Sequence, residues 1–220
     1  MTMPRSRVRT IRHIFETNPA GIALWLVTSR LWTRLRSSLL AHSLKAPGLH
    51  LGPGCRVIGG RYIRFGRGVR AQRDLWLEAV SSYESQSFRP EIYLGNDVRF
   101  SDSVHLSAIE RIVIGDHTLV GSRVYIADHS HGIYSGDNQS SPDEIPRGRL
   151  LGGGGPVTIG RNVWIGDNSV ILGPTAIGDG AIIGANSVVK GNVDPNCIVA
   201  GAPAKVLKRF NASNRSWERK

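Results

Sequence analysis

The chain has 220 residues, of which 7% are aromatic, 26 are glycine and 11 are proline. This length allows one domain with a buried core and excludes a disulfide-stapled miniprotein, while the glycine and proline content disfavours a long helical bundle. The formal net charge of +11 admits nucleic acid, an anionic membrane surface or an anionic small molecule as a partner.

Residues 1–45 form a basic segment that we predict to be helical. Eight of these residues are Lys or Arg and one is acidic, so the segment carries +7 of the total charge. Asn18 and Pro19 are predicted to be the N-cap and the first position of the helix. Apolar residues then recur at helical spacing at Leu24, Val27, Leu31, Leu35 and Leu39.

Two positions for this basic helix stay open. It could lie in a membrane interface with Trp25 and Trp32 at headgroup level, or pack against the rest of the protein or a neighbouring subunit. No apolar run reaches the length that spans a bilayer, so we expect no transmembrane helix. The arginines that follow the apolar stretch also disfavour a signal peptide.

An aliphatic residue recurs at every sixth position in the second half of the chain. The regular series is Ile159, Ile165, Ile171, Ile177, Ile183 and Val189. Weaker series are Leu51, Val57, Ile63 and Val69, then Leu94, Phe100 and Leu106, then Ile114, Val120 and Ile126. A period of six is typical of a parallel β-helix built from hexapeptides, with aliphatic residues stacked inside and glycine or asparagine adopting the backbone angles of the corners. We therefore predict an all-β domain over residues 46–206, followed by a tail over 207–220.

The six-residue register breaks after Ile126, and residues 127–158 are predicted to leave the coil as a polar loop. His129 and His131 lie at the start of this loop. Imidazole titrates near neutral pH and can take the proton of an attacking hydroxyl, so these histidines are candidates for a general base. Cys55 and Cys197 have no ligand spacing, and we expect no metal site.

Three segments of the chain resemble the hexapeptide-repeat acyltransferases with a left-handed parallel β-helix. They are VYIADHSHG at residues 124–132, VWIG at 163–166 and GAPAKV at 201–206. The likeness is to sugar O-acetyltransferases of the maltose/galactoside type, particularly those that acetylate O-antigen and capsular polysaccharides. This resemblance implies a homotrimer with active sites between subunits, acetyl-CoA as co-substrate and no metal.

The resemblance also implies the role of the histidines. In the related enzymes the catalytic histidine is the seventh residue after the valine of the preceding hexapeptide, and counting from Val124 gives His131. We predict that His131 is the general base of a direct transfer from acetyl-CoA, without a covalent acetyl-enzyme. Asp128 and His129 could orient this base or bind the acceptor.

A second catalytic contact departs from the family pattern. Maltose-type enzymes use an asparagine from an earlier coil, and Ser101 occupies the corresponding position. Ser101, Asp102 or His105 could replace it, or a backbone amide could supply the oxyanion donor.

Six residues are candidates for contact with acetyl-CoA. By resemblance, Trp164, Asp167 and Ala185 line a groove between adjacent β-helices. Near the end of the coil, lysines could meet the phosphates as point charges or simply be solvated, and these are Lys190, Lys205 and Lys208.

The sequence thus predicts an acetyl-CoA-dependent O-acetyltransferase acting on a sugar hydroxyl of a surface polysaccharide or its lipid-linked precursor. We expect it in the cytoplasm, peripheral to the inner face of the membrane through residues 1–45. The alternatives are a CoA-dependent N-acyltransferase acting on an amino sugar or another small acceptor, a γ-carbonic-anhydrase-like metalloenzyme, and a non-enzymatic β-solenoid. Nucleic acid is not an expected partner, because the basic residues lack interleaved aromatics and a recognition motif.

Overall fold

Two helices precede a long series of short strands in the computed structural model, which describes the backbone of residues 5–219 and the side chains of residues 11–219. The helices are α1 (Arg5–Thr17) and α2 (Ala20–Ser43). The first eleven strands are β1 (His50–Leu51), β2 (Arg56–Ile58), β3 (Ile63–Phe65), β4 (Arg70–Ala71), β5 (Trp76–Ala79), β6 (Ser82–Tyr83), β7 (Gln86–Ser87), β8 (Glu91–Leu94), β9 (Arg99–Phe100), β10 (His105–Ala108) and β11 (Arg111–Ile114). The others are β12 (Leu119–Val120), β13 (Tyr125–Ala127), β14 (Ser130–His131), β15 (Leu151–Gly152), β16 (Val157–Ile159), β17 (Trp164–Ile165), β18 (Val170–Ile177), β19 (Ile182–Ile183), β20 (Val188–Val193), β21 (Cys197–Ala200), β22 (Lys205–Asn211) and β23 (Ser216–Arg219).

The strands of the coil stack in parallel into three faces, which the chain visits in turn. Face A contains β1, β4, β9, β12, β17, β19 and β21. Face B contains β2, β5, β10, β13 and the first halves of β18 and β20, and face C contains β3, β8, β11, β16 and the second halves of β18 and β20. Each turn of the coil therefore uses three hexapeptides, which confirms the predicted parallel β-helix.

One aliphatic column runs up the inside of each face. On face A it is Leu51, Ala71, Phe100, Val120, Ile165, Ile183 and Val199. Face B stacks Val57, Leu77, Leu106, Ile126, Ile171 and Val189, and face C stacks Phe65, Leu94, Ile114, Ile159, Ile177 and Val193. The hexapeptide register predicted from residue 94 onward is confirmed.

The predicted register is wrong in the first turn. A 3₁₀ turn at Gly60–Tyr62 inserts two residues, so Phe65 and Ala71 occupy the columns where Ile63 and Val69 were expected. Ile63 and Val69 are nevertheless buried, because each lies two residues before its column and also points inward.

Glycine and asparagine have different tasks at the corners. The recurring glycine directly follows the column residue, and a Cβ on Gly166 would lie 2.6 Å from the amide nitrogen of Ala185 in the next turn. Close backbone approach therefore requires this glycine, which corrects the prediction that its backbone angles do. The left-handed angles occur two residues later, where Asn162, Asn168 and Asn186 have φ between 55° and 58°.

α2 lies against the first turn of the coil and covers the free edge of β1. The buried Ser37 hydroxyl donates to the carbonyl oxygen of Leu51 and accepts from its amide, both at 3.0 Å. The Arg36 guanidinium donates to the carbonyl oxygens of Gly52 at 3.3 Å and Cys55 at 2.5 Å. These bonds satisfy edge groups that would otherwise be available to pair with another chain.

Asn18 does not cap α2, which corrects the predicted N-cap. Its amide donates to the carbonyl oxygen of Ile14 at 2.9 Å, and Pro19 is the N-cap residue of α2. The reason is α1, which ends at Thr17 and leaves terminal carbonyls that the Asn18 side chain can satisfy.

The predicted apolar stripe of α2 faces away from the coil. Its exposed members are Leu24, Leu31, Leu35 and Leu39, and Trp25 and Trp32 are 66% and 67% exposed. Packing against the coil instead uses Ser37 and partly buried residues such as Leu40 and Leu44. None of the described helices combines the length and hydropathy needed to cross a bilayer.

The C-terminal end of the coil is closed by a hairpin rather than followed by a free tail. β22 pairs antiparallel with β21, and β23 pairs antiparallel with β22. Arg209 supports the hairpin through an ion pair with Asp194 at 2.9 Å. Residues 207–219 therefore extend face A.

Candidate active site

A loop of residues 128–156 leaves the coil where face B meets face C, close to the predicted span of 127–158. Its base is a short antiparallel pair, in which Ser130 and His131 of β14 lie opposite Gly152 and Leu151 of β15. The amide of Gly155 also donates to the carbonyl oxygen of Asp128 at 2.8 Å. The loop thus begins and ends in fixed positions, which places His129 and His131 on a rigid base.

Asp128 is a buried anchor that also holds His129. Its carboxylate accepts from the backbone amides of Ile109, Glu110 and Arg111 at 2.7–2.9 Å. It also accepts from Nδ1 of His129 at 2.8 Å. The predicted orienting role of Asp128 therefore falls on His129, and its carboxylate has no described contact with His131.

His131 is exposed and is oriented by a tyrosine. The hydroxyl oxygen of Tyr83 lies 3.3 Å from Nδ1 of His131, and the two rings meet edge to face with centroids 5.3 Å apart. The Tyr83 hydroxyl donates its one proton to the carbonyl oxygen of Arg147. Its oxygen can therefore only accept from His131 Nδ1–H, which leaves the lone pair on Nε2.

Tyr83 belongs to a second ejected segment that the sequence reasoning missed. β6 and β7 form a hairpin between face B and face C, two turns before the histidine loop. The Gln86 amide locks this hairpin to the loop, because it accepts from the Leu151 amide at 2.7 Å and donates to the Leu151 carbonyl oxygen at 3.0 Å. The signal that could have revealed it is the interrupted register between Leu77 and Leu94, filled by the polar run SSYESQS at residues 81–87.

His105 lies on the outer surface of face B. Its ring stacks on Trp76 with centroids 4.0 Å apart, and its Nε2 lies 3.7 Å from a carboxylate oxygen of Glu78. Burial lowers the pKa of His105, although Glu78 opposes this shift. The neutral imidazole is therefore favoured, and His129 is close enough to lower the pKa of His105 further when charged.

Ser101 and Asp102 lie at the other edge of face B, where face A turns into it. Asp102 accepts from the amide of Arg73 at 2.9 Å, so its carboxylate stabilises the corner. Ser101 lines a cavity on face A. A single chain therefore holds Ser101 and His131 at opposite edges of face B and does not bring them together.

Three of the six residues predicted to contact acetyl-CoA lie along the corner between face A and face B. Asp167 and Ala185 occupy this corner in successive turns, and Lys205 pairs with Ala200 at its C-terminal end. The Asp167 carboxylate also accepts from the Ser122 amide at 2.7 Å.

The other three predicted CoA contacts lie on face A, on face B next to face C, and on the closing hairpin. Trp164 is 52% exposed on face A, beside Leu119 of the preceding turn. Lys190 lies on face B opposite Leu172, and Lys208 lies on the closing hairpin opposite Ile198. The structure thus places Lys190 and Lys208 on different faces.

Comparison with known families finds two matches. The bacterial transferase hexapeptide (six repeats) matches residues 156–191, and the hexapeptide repeat of succinyl-transferase matches residues 111–138. Both cover parts of the coil described above.

Two relatives from Escherichia coli K12 match a larger part of the chain. WbbJ, a protein assigned by name to lipopolysaccharide biosynthesis as an O-acetyl transferase, is 37% identical over 166 residues, which is 75% of this chain and 81% of WbbJ. Galactoside O-acetyltransferase is 29% identical over 133 residues, which is 60% of each chain.

A solved structure with a similar fold is AntD from Bacillus cereus, an N-acyltransferase in complex with dTDP and 3-hydroxybutyryl-CoA. It superposes with a TM-score of 0.60 at 20% identity, covering 77% of this chain and 84% of AntD. At this identity the likeness concerns the fold.

Proposed function

Because the chain belongs to the hexapeptide-repeat sugar acetyltransferases, we propose that it transfers an acetyl group from acetyl-CoA to a hydroxyl of a surface polysaccharide or of its lipid-linked precursor. One geometric observation carries this proposal. His131 stands at the base of the ejected loop with Nδ1 directed at Tyr83, which leaves its Nε2 free to take a proton. The 37% identity to WbbJ supports oxygen rather than nitrogen as the acceptor atom.

In the proposed reaction, Nε2 of His131 takes the proton of the acceptor hydroxyl while the hydroxyl oxygen attacks the thioester carbonyl. A new carbon–oxygen bond forms, and the tetrahedral intermediate collapses with cleavage of the carbon–sulfur bond. The leaving CoA thiolate receives the proton from His131. Transfer is direct, and Tyr83 is a positioning residue that fixes the tautomer of the base.

His129 is the second candidate for the base, and one observation favours it. Its Nδ1 is bound to the buried Asp128 carboxylate, an arrangement that fixes the tautomer and stabilises an imidazolium. However, only 9% of the His129 side chain is exposed, whereas His131 is exposed beside the loop. Access to substrate therefore favours His131 as the base and His129 as a supporting residue.

We place acetyl-CoA along the corner between face A and face B, with Trp164, Asp167 and Ala185 beside the pantetheine arm. AntD, which shares the fold, binds an acyl-CoA, and this supports an acyl-CoA as the co-substrate. Lys205, at the end of the same corner, is the best placed of the three lysines to meet the phosphates. Lys208 lies on the closing hairpin, whereas Lys190 lies at the edge of face B next to face C.

We propose that the coil is left-handed and that three copies of the chain assemble. Ser101 and His131 lie at opposite edges of face B, so an active site that uses both needs two subunits. In a cyclic trimer each site would combine Ser101 of one copy with His131 of its neighbour.

We also propose that α2 holds the protein at the inner face of an anionic membrane in the cytoplasm. The exposed Trp25 and Trp32, the leucines between them and the basic residues of the segment support this position. Replacing Trp25 and Trp32 with serine should release the protein from vesicles that contain anionic phospholipid, with unchanged activity on a soluble acceptor. Undiminished vesicle binding, or loss of the trimer on substitution, would assign this face to another contact.

A screen of sugar acceptors with acetyl-CoA tests the proposed function. Released thiol reports transfer, and NMR of the product locates the new bond. An ester on a sugar hydroxyl is the expected result. An amide on an amino sugar would identify the chain as an N-acyltransferase, and no transfer to any acceptor despite tight CoA binding would contradict the proposal.

A further inference from the structure

A cavity of about 840 Å³ lies between α2 and the outer surface of face A, at the N-terminal end of the coil. Five arginines line it, two from the helix and three from the coil, namely Arg30, Arg34, Arg70, Arg73 and Arg99. Among the residues that the structure describes, no Asp or Glu contributes to its wall. The cavity therefore concentrates positive charge with no carboxylate in its lining.

Two of these arginines stand side by side. Arg70 of β4 and Arg99 of β9 are register partners on neighbouring parallel strands, which lie about 4.8 Å apart. Like charges at directly opposed positions destabilise a sheet unless an anion compensates them. Asp97 approaches Arg99 only at 4.0 Å, with both side chains 49% exposed.

The other cavity arginines have no carboxylate partner among the described residues. No carboxylate of residues 11–219 lies within 4.0 Å of Arg30, Arg34, Arg70 or Arg73. The ten residues before this span contain no Asp or Glu.

Some arginines elsewhere in the described chain have partners. Arg111 pairs with Glu91 at 3.3 Å, and Arg36, on the same helix as Arg30 and Arg34, is bound to backbone carbonyls. The cavity is therefore marked by the convergence of five arginines on one space whose described lining contains no carboxylate.

The positive charge of this cavity also acts on a neighbouring histidine. His50 precedes Arg70 and Arg99 in the same outward column of face A and also lines the cavity. Its pKa is lowered, first by burial and then by the charges of Arg70 and Arg34.

We propose that this cavity binds the diphosphate group of the acetyl acceptor, an inference that rests on the proposed function for the identity of the acceptor. Planar guanidinium groups bind pairs of phosphate oxygens, and several of them can share the charge of a diphosphate. The volume also admits a sugar beside it. A nucleoside diphosphate sugar and an isoprenyl diphosphate sugar both carry this group.

The position of the cavity agrees with such an acceptor. Ser101 lies on its wall, at the corner between face A and face B along which Asp167, Ala185 and Lys205 follow in later turns. An acceptor held by Arg70 and Arg99 would therefore enter one end of a corner whose other end is proposed for acetyl-CoA. Its diphosphate would bind to the arginines with the sugar near Ser101.

Binding of inorganic pyrophosphate to the full-length protein, measured by calorimetry with saturating CoA present, tests the proposal. Pyrophosphate should bind more tightly than orthophosphate. The double substitution Arg70→Gln and Arg99→Gln should weaken pyrophosphate binding by about tenfold or more, because two charge-assisted contacts are lost. CoA affinity should stay within about twofold of the unsubstituted protein, since 0.4 kcal/mol or less is lost.

The matched control is Arg64→Gln. The Arg64 side chain is 77% exposed on face C, where it lies 3.8 Å from Glu91. This substitution removes one positive charge far from the cavity and should leave pyrophosphate binding unchanged. A loss of binding free energy in this control that equals half of the loss in the double variant, which removes two charges, would show an effect of net charge alone and would overturn the proposal.

Further probes identify the carrier of the diphosphate. Tighter binding of UDP than of pyrophosphate supports a nucleotide-linked acceptor, and tighter binding of farnesyl diphosphate in detergent supports a lipid-linked one. Displacement of pyrophosphate by CoA would assign it to the CoA site and overturn the proposal.

Failure of this inference can be distinguished from failure of the proposed function. A protein that acetylates a neutral sugar but does not bind pyrophosphate contradicts only the diphosphate site. A protein that binds pyrophosphate through Arg70 and Arg99 but transfers no acetyl group contradicts only the proposed function.

Discussion

The regular coil over residues 157–200 and the loop over residues 128–156 follow each other in the chain but obey different rules. In the coil, each inward side chain stacks on its counterpart in the next turn, so a substitution disturbs several turns at once. The loop has no such repeat, and its contacts are polar and specific, as between Gln86 and Leu151. The comparison shows that the two regions have different tasks. The coil fixes the two ends of the loop, and the loop carries the candidate catalytic residues.

The largest effect should follow substitution of the proposed base in the loop. His131→Ala should lower kcat by about 10²- to 10⁴-fold, the usual contribution of a general base, without changing the melting temperature. His129→Ala should cost less, because that imidazole supports the base rather than acting on substrate. Comparable activity of His131→Ala and the unsubstituted enzyme under saturating substrates would contradict the assignment, and a larger loss in His129→Ala would transfer the role to His129.

A pair of isoleucines tests the coil against the loop directly. Ile171 is fully buried in the face B column, whereas Ile145 in the loop is 69% exposed. Ile171→Ala should destabilise the protein by about 2–5 kcal/mol, because it removes buried methyl groups and leaves a cavity. Ile145→Ala should change the free energy of unfolding by less than about 0.5 kcal/mol. Similar losses in denaturant titrations would show that the loop is packed as tightly as the coil.

Substitution of the lysines at the C-terminal end of the coil should affect only the binding of CoA. If Lys205 and Lys208 meet the 3′-phosphate of CoA, replacing both with alanine should weaken CoA binding by about tenfold and leave dephospho-CoA binding unchanged. Lys190→Ala is the comparison variant, because Lys190 lies on face B. Equal losses for CoA and dephospho-CoA would remove the 3′-phosphate from the role of these lysines.

The smallest effect should be a loss of stability on mild acidification. Burial lowers the pKa of both His50 and His105, so between their folded values and about 6.5 the unfolded chain binds more protons than the folded chain. The free energy of unfolding should therefore fall as the pH decreases from 7.5 to 5.5, in urea titrations at the two pH values. His105→Gln should reduce that fall, and an unchanged pH dependence would show that His105 makes no contribution.

The interior of the coil could be predicted from the sequence because each turn packs only against its neighbours along one axis. A residue that stacks on its counterpart one turn later leaves a period of six in the chain, and the series from Ile159 to Val189 shows it without interruption. The register failed only at Ile63 and Val69, where a 3₁₀ turn inserts two residues. The sequence pattern does not predict this insertion, because the two inserted residues have no equivalent in the other turns of the coil.

The candidate site was only partly readable. Spacing and resemblance singled out His131, but they did not reveal Tyr83, which reaches it from a hairpin two turns earlier in the coil. They also linked Asp128 to the base, whereas its carboxylate is committed to three backbone amides and His129. The β6–β7 hairpin and the loop of residues 128–156 both interrupt the repeat and are distant from each other in sequence. The spacing of the repeat therefore does not indicate that they are in contact.

The sequence by itself determined the hexapeptide coil, the basic helix and the loop with its histidines, because each leaves a local period, charge run or break in period. Only the tertiary structure decided which side of α2 faces the coil and which arginines share a cavity. Arg30 and Arg34 meet Arg70 and Arg99 because α2 lies across the edge of β1. That position depends on the packing of Ser37 and its neighbours against the first turn, which no pattern along the chain records.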